Sequence, residues 1–200
     1  MKTTEVITLR DSEIRSAYHR KYLRDYHDDP RVLVVDELGL QHGKCRADIA
    51  VMNGRLAAYE IKSDLDSLSR LHSQVHGYNA VFDRITLVVT QRHLQQAATL
   101  IPPWWGLVST ARGKRGGIHF TTVRRSQANP EVDSFCVAQL LWREEAREIL
   151  LGLGLAEREL RGNRAELYDL VVKRLSPQAL RHQVREKMKS RSNWKGPSQP

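Results

Sequence analysis

Asp48 lies twelve positions before a Glu60-Ile61-Lys62 triplet, and both sit inside apolar runs that read as strands. Two carboxylates and a lysine at that spacing are the minimal set for metal-dependent cleavage of a phosphodiester. The chemistry needs a divalent cation to neutralise the phosphate and lower the pKa of bound water. It needs hard oxygen ligands to hold that cation, and Asp48 and Glu60 suit Mg²⁺ or Mn²⁺, with the Ile61 carbonyl as a third ligand. It also needs a cationic group to orient the attacking water and stabilise developing charge, which is the role open to Lys62. The same three residues would equally form a row of ion pairs on a half-exposed sheet, so their neighbours decide between the two.

The elements that must position them follow from pattern. Thr8 to Leu23 reads as a helix with Ile14, Tyr18 and Tyr22 on its buried stripe, flanked by Glu13 and Arg15. Val32–Leu40 and Cys45–Met52 read as strands joined at His42-Gly43. A two-residue turn there sets Glu37 opposite Asp48, and two opposed carboxylates repel unless a cation sits between them. Arg55 to Ser63 is the third strand. A two-residue turn at Asn53-Gly54 would set Asp48 opposite Tyr59. Asp48 meets Glu60 only if that connection is three residues long or carries a bulge, and such a departure is expected. Glu60 and Lys62 share one face in any case, with Tyr59 and Ile61 on the other.

Ser63 to Asp83 reads as the next helix, with Leu68, Leu71, Val75, Tyr78 and Phe82 as its apolar stripe. Gln74 and Tyr78 stand on adjacent turns, and Gly77 inside a helix suggests close packing. Arg84–Thr90 is an uninterrupted apolar run, as in a strand covered on both faces. Gln91 to Leu100 reads as a third helix, and Trp105–Thr110 and Ile118–Val123 as two more short strands. From Glu131 the pattern is all-helical: a long helix from Asp133 to Leu151, a second after Asn163, and a last one from Ser176-Pro177 to about Ser190. The last nine residues read as disordered.

Asp48, Glu60-Ile61-Lys62 and the following Gln74-x-x-x-Tyr78 together resemble the PD-(D/E)XK nuclease superfamily, in its RecB-like branch. Glu-Leu-Gly-Leu, Arg-Ala-Asp-Ile-Ala-Val and Tyr-Glu-Ile-Lys-Ser-Asp resemble an uncharacterised bacterial family within it. The likeness covers roughly Glu13 to Thr90. It implies a restriction-endonuclease-like α/β core with a mixed sheet, ordered helix, three antiparallel strands, helix, strand, and carrying an all-helical C-terminal extension. The implied division is 1–130 for the core, 131–191 for the extension and 192–200 for the tail. The resemblance implies that Asp48 and Glu60 bind metal, that Lys62 is the catalytic lysine, and that Gln74 and Tyr78 help position the substrate strand. Glu13 would be the first-helix acid, with Glu37 a second candidate. The residue before Asp48 is Ala47 rather than the proline of the pattern.

Composition agrees with an anionic partner. The 200-residue chain has a formal net charge of +9 and a pI of about 9.8, which favours nucleic acid, DNA first. Arg112, Lys114 and Arg115, followed by Arg124 and Arg125, form a basic loop region without an acid between them. Arg181, Arg185, Lys187 and Lys189 belong to a basic last helix; both groups are candidate phosphate contacts. A homodimer or a protein partner is left open. His72 and His76 have helical metal-ligand spacing but lack an evident third ligand. Two distant cysteines exclude a disulfide framework. No apolar run approaches a membrane span, and Met1–Glu5 lacks the apolar core of a signal peptide, so a cytoplasmic location is expected.

Overall fold

The computed structural model describes residues 8–191. Its centre is a six-stranded sheet whose spatial order follows the chain: β1 (Leu33–Leu40), β2 (Cys45–Met52), β3 (Leu56–Lys62), β4 (Arg84–Thr90), β5 (Gly106–Arg112) and β6 (Ile118–Arg124). β1–β2, β2–β3 and β5–β6 pair antiparallel, while β3–β4 and β4–β5 pair parallel. The fold is therefore mixed α/β. Parallel pairs need a crossover to bring the chain back to the same end. Here α3 (Leu71–Asn79) makes the first crossover and α4 (Leu94–Leu100) the second.

Both sheet faces are covered. On one lie α1 (Asp11–Tyr22) and α2 (Arg24–Asp28), where Ile14, Ala17 and Tyr18 pack on Ile49, Val51, Ile61, Val88 and Val108. On the other lie α3, α4 and the helices α5 (Ser134–Ala138), α6 (Arg143–Gly152), α7 (Arg164–Arg174) and α8 (Pro177–Ser190). Residues of these late helices and of the sheet form one continuous apolar core, from Leu38 and Met52 to Leu180, Val184 and Met188. Among the described residues no helix is long and apolar enough to cross a membrane.

Several boundaries differ from the sequence expectation. The first helix begins at Asp11 rather than Thr8, and the Glu13 carboxylate accepts from the Arg10 N–H at 3.1 Å. The helix expected from Ser63 begins only at Leu71. The reason is local: the Asp66 carboxylate accepts from both the N–H and the hydroxyl of Ser63, at 2.8 and 2.5 Å, and folds the segment into a turn. The single helix expected over Asp133–Leu151 is two. Trp142 starts α6 with its N–H on the Glu145 carboxylate at 2.7 Å, and the Leu141 carbonyl accepts from the buried Tyr168 hydroxyl at 2.7 Å. The caps at Asn163 and Ser176 stand as expected, accepting from Glu166 N and Ala179 N. The tail 192–200 lies outside the described residues.

Gly77 is where α3 meets β2. A Cβ built there would stand 3.2 Å from both Cβ and Sγ of Cys45. An exposed helical glycine changed to alanine gains up to about 1 kcal/mol. At this contact the sign is reversed: Gly77→Ala is expected to cost on the order of 1–2 kcal/mol in chemical denaturation, because overpacking outweighs propensity. A gain in stability would show that the α3–β2 contact is looser than described.

Candidate active site

The β1–β2 register sets Asp36 against Ile49 and Leu38 against Ala47, as the His42-Gly43 reading requires, although the connection is a four-residue loop. Glu37 and Asp48 fall between those pairs. There the strict alternation breaks on both strands: Val35 and Leu38 enter the same core, and so do Ala50 and Ala47. Glu37 has φ 58°, a left-handed backbone uncommon for a residue with a side chain. The irregularity leaves this pair out of the regular ladder.

The β2–β3 register sets Ile49 against Tyr59 and Met52 against Leu56, joined by the three-residue loop Asn53-Gly54-Arg55. This is the odd connection that Asp48 needed. The ladder stops at Ile49–Tyr59, and one step further the Asp48 side chain takes over, its Oδ2 accepting from the Ile61 N–H at 2.7 Å. Asp48 thus reaches the Glu60 end of β3.

Glu60 is 1% exposed and Lys62 5% exposed. Lys62 Nζ donates to Glu60 Oε1 at 2.7 Å, and Gln74 Nε2 donates to the same oxygen at 2.5 Å. The Tyr78 hydroxyl donates to Glu60 Oε2, with the Arg46 carbonyl a second acceptor nearby at 3.2 Å. Tyr78 is fully buried, so it is both a core ring and a site residue. Burial, then the Glu60 charge, pushes its pKa well above the usual phenol value. Burial and then Glu60 likewise push Asp48 up to about 8, against the smaller opposing pull of the Ile61 N–H and Arg15.

The cation between the two opposed carboxylates is Arg15. Its guanidinium stands 2.5 Å from Glu37 Oε1, 3.2 Å from Asp48 Oδ1 and 3.2 Å from Asp11 Oδ2. The repulsion argument demanded such a group, but spacing alone did not say that a distant helix would send it. Asp11 is a second residue the sequence reading passed over. Glu13 faces elsewhere: it pairs with Arg112 at 2.5 Å, and that guanidinium holds its carboxyl below the usual range. Glu37 pairs with Arg46 at 2.7 Å as well as with Arg15.

The candidate phosphate contacts divide. β3, β4 and β5 run parallel, so Lys62 and the loop after Arg112 lie at the same end of the sheet. Lys114 and Arg115 are exposed in that loop. Arg112 is held by Glu13 and the Gly116 carbonyl. On α8, Arg181 pairs with Asp83, Lys187 with Glu148 and Lys189 with Glu186. Asp83 precedes β4, so Arg181 lies at the end of the sheet away from Lys62, and Arg185 is half-buried. His72 and His76 are exposed and meet edge to face at 5.3 Å.

Among the described residues no three His, Cys, Asp or Glu side chains cluster as a metal site. The donors available to a cation are the Asp48 and Glu60 carboxylates, the Ile61 carbonyl and the Gln74 amide oxygen. That last oxygen is buried without a partner among the described residues, while its amide nitrogen is on Glu60. All are hard oxygens, and the set fits Mg²⁺ with water completing the shell.

Comparison with known proteins gives a family. Protein cII of Enterobacteria phage P4 is 25% identical over 152 residues, which is 74% of this chain and 55% of the phage protein. The chain therefore spans about half the length of that curated relative. A solved structure of a protein of unknown function from Silicibacter pomeroyi is 19% identical and covers 74% of this chain and 92% of its own, with a TM-score of 0.42. The family model of bacteriophage P4 protein cII matches residues 8–196, and the chain belongs to that family.

Proposed function

We propose that this chain is a divalent-metal-dependent nuclease that hydrolyses phosphodiester bonds in DNA, on a restriction-endonuclease-like core. The observation that carries the reading is the convergence on one buried carboxylate. Glu60 receives Lys62 from its own strand and Gln74 and Tyr78 from α3, and across an odd-parity loop Asp48 accepts from the N–H of the next residue, Ile61. A row of surface ion pairs has no need of burial to this degree, since exposed pairs contribute little.

In this reading Asp48, Glu60 and the Ile61 carbonyl hold Mg²⁺ or Mn²⁺, which when bound polarises the scissile phosphate and activates water. Lys62 orients that water from beside Glu60. Gln74 fixes the Glu60 carboxylate and offers its free oxygen toward the site. Tyr78 holds the second Glu60 oxygen, so that the carboxylate cannot rotate. Arg15 keeps Asp48 and Glu37 together by charge. Lys114 and Arg115 at the same end of the sheet add salt-dependent phosphate contact.

The test is a cleavage panel over double-stranded DNA, single-stranded DNA and RNA with Mg²⁺ or Mn²⁺. Metal-dependent cutting of DNA is the expected result, and cutting of RNA alone would move the substrate assignment. Cutting that survives both Asp48→Ala and Lys62→Ala would overturn the assignment. One observation favours a second reading, a catalytically silent binding module on the same fold: both Glu60 oxygens already have protein donors. Calorimetric titration with Mg²⁺ separates the two, since the silent module takes up no metal.

A further inference from the structure

The nuclease reading uses one end of the sheet. At the other end a cleft of about 510 Å³ opens between α1–α2 and the face of strands β3 to β6, within the range of small-ligand sites. β3 lines the cleft as far as Tyr59, whose ring packs on the α1 side, whereas Glu60 meets Gln74 and Tyr78 of α3, so the two places lie on opposite faces of the strand.

The lining holds four arginines, Arg55, Arg84, Arg124 and Arg125, and no Asp or Glu. Arg84 donates to the Ser126 carbonyl, and Arg124 donates to the carbonyls of Trp105 and Pro102, at 2.7 and 3.0 Å. Carbonyls orient these two guanidiniums without neutralising them. Arg55 and Arg125 are exposed, and their side chains have neither a hydrogen bond nor an ion pair among the described residues. Four like charges around one cleft repel each other unless an anion joins them. Guanidinium forks match phosphate oxygens in geometry.

An aromatic platform stands beside them. Tyr22 lines the cleft and is 42% exposed. One face of its ring stacks on Tyr18, with centroids 4.9 Å apart and planes 8° from parallel, and Phe120 meets it edge-on at 5.3 Å. The ring is thus held rigid while much of it faces solvent. Rigid exposed rings among cations are how sequence-tolerant sites hold unpaired bases. A bare anion would leave Tyr22 uncovered, and an apolar ligand would leave four charges unmet.

We propose that this cleft binds a nucleotide unit, free or within a single strand, with its base stacked on Tyr22 and its phosphate among the four arginines. The experiment uses the full chain carrying Lys62→Ala, without divalent metal, so that neither cleavage nor metal binding enters. Deoxythymidine monophosphate, a labelled tetrathymidylate and inorganic phosphate are the probes, read by calorimetry and fluorescence anisotropy. The mononucleotide or the tetranucleotide is expected to bind, and phosphate at equal concentration is expected not to displace it. Binding of both probes assigns the site to the nucleotide itself, and binding of the tetranucleotide alone assigns it to a strand. Tyr22→Ala should weaken binding about 5-fold or more, and Tyr22→Phe should retain it, since stacking needs only the ring. Arg55→Ala with Arg125→Ala should weaken it at least as much and flatten its salt dependence. All three positions are exposed, and circular dichroism checks that the variants stay folded. The proposal is overturned if neither probe binds, if Tyr22→Ala and the double arginine variant bind unchanged, or if phosphate competes as well as the nucleotide. Because no step requires metal or cutting, its failure leaves the active-site reading standing, and the converse holds.

Discussion

Lys62→Ala is expected to lower Mg²⁺-dependent cleavage of DNA by on the order of 10²- to 10³-fold, measured as initial rate on a plasmid or single-stranded substrate. Loss of a preorganised charge at a water-excluded site has this scale. The location supports it: Lys62 is buried, and its Nζ is 2.7 Å from the carboxylate assigned to the metal. The same change removes one of three donors from a buried carboxylate, which costs about 1–3 kcal/mol of stability. Rate and stability therefore have to be separated. Gln74→Ala removes a different donor from the same Glu60 oxygen, so it should share the stability loss and lower the rate less. Equal rate losses in the two variants would mean that Lys62 acts only by holding Glu60. A Lys62→Ala protein that cuts normally would remove the lysine from the chemistry altogether.

The second large effect concerns Asp48 and pH. Its carboxyl is raised from 3.8 to about 8 by burial and by Glu60. The folded protein therefore retains a proton that the unfolded chain gives up near pH 4. This contribution to stability is fully present below pH 3.8 and is lost as pH rises through about 8. Asp48→Asn stays neutral throughout. Its side-chain oxygen keeps the Ile61 N–H, and Arg15 keeps Glu37 and Asp11. In the absence of metal the variant should be more stable than the parent at pH 8 by on the order of 1–3 kcal/mol, a conservative share of the linkage. Below pH 4 the two should melt alike. Mg²⁺ should raise the melting temperature of the parent, more at pH 8 than at pH 6 because protons compete for the ligand, and should leave the variant unmoved. A variant that melts with the parent at every pH would show that Asp48 is not strained, and one that still gains from Mg²⁺ would show that it is not a ligand.

Much of this arrangement was legible because strand registers obey parity. If Asp48 and Glu60 were to meet, the connection at Asn53-Gly54 had to be odd, by a three-residue loop or by a bulge, and the structure has the loop. The i, i+4 spacing of Gln74 and Tyr78 placed both on one face of α3, the face that the structure turns to Glu60. Arg15 was out of reach for the opposite reason. Two of its three partners, Glu37 and Asp48, come from strands, and no periodicity within α1 distinguishes a site cation from a solvated one. Local competition hid other features. Asp66 folds Ser63 into a turn, which no count of apolar residues over 63–83 would reveal. The ion pairs of Arg181, Lys187 and Lys189 lie with acids far along the chain or on the same helix, so a basic stretch in sequence is partly neutralised in space. The Tyr22 and Arg55 cleft joins five segments that no motif links.

The match between strand order and chain order has a consequence for biosynthesis. Each strand finds its neighbour already made, so the sheet can zip up one strand at a time as the chain leaves the ribosome. The helices α5 to α8 come last, yet they cover the sheet face that carries Leu38, Met52 and Leu87. Until α5 to α8 have emerged, the part of that face that α3 and α4 leave uncovered stays bare. A stalled or truncated product lacking α8 would expose it, and such nascent chains are the ones expected to recruit chaperones or to aggregate.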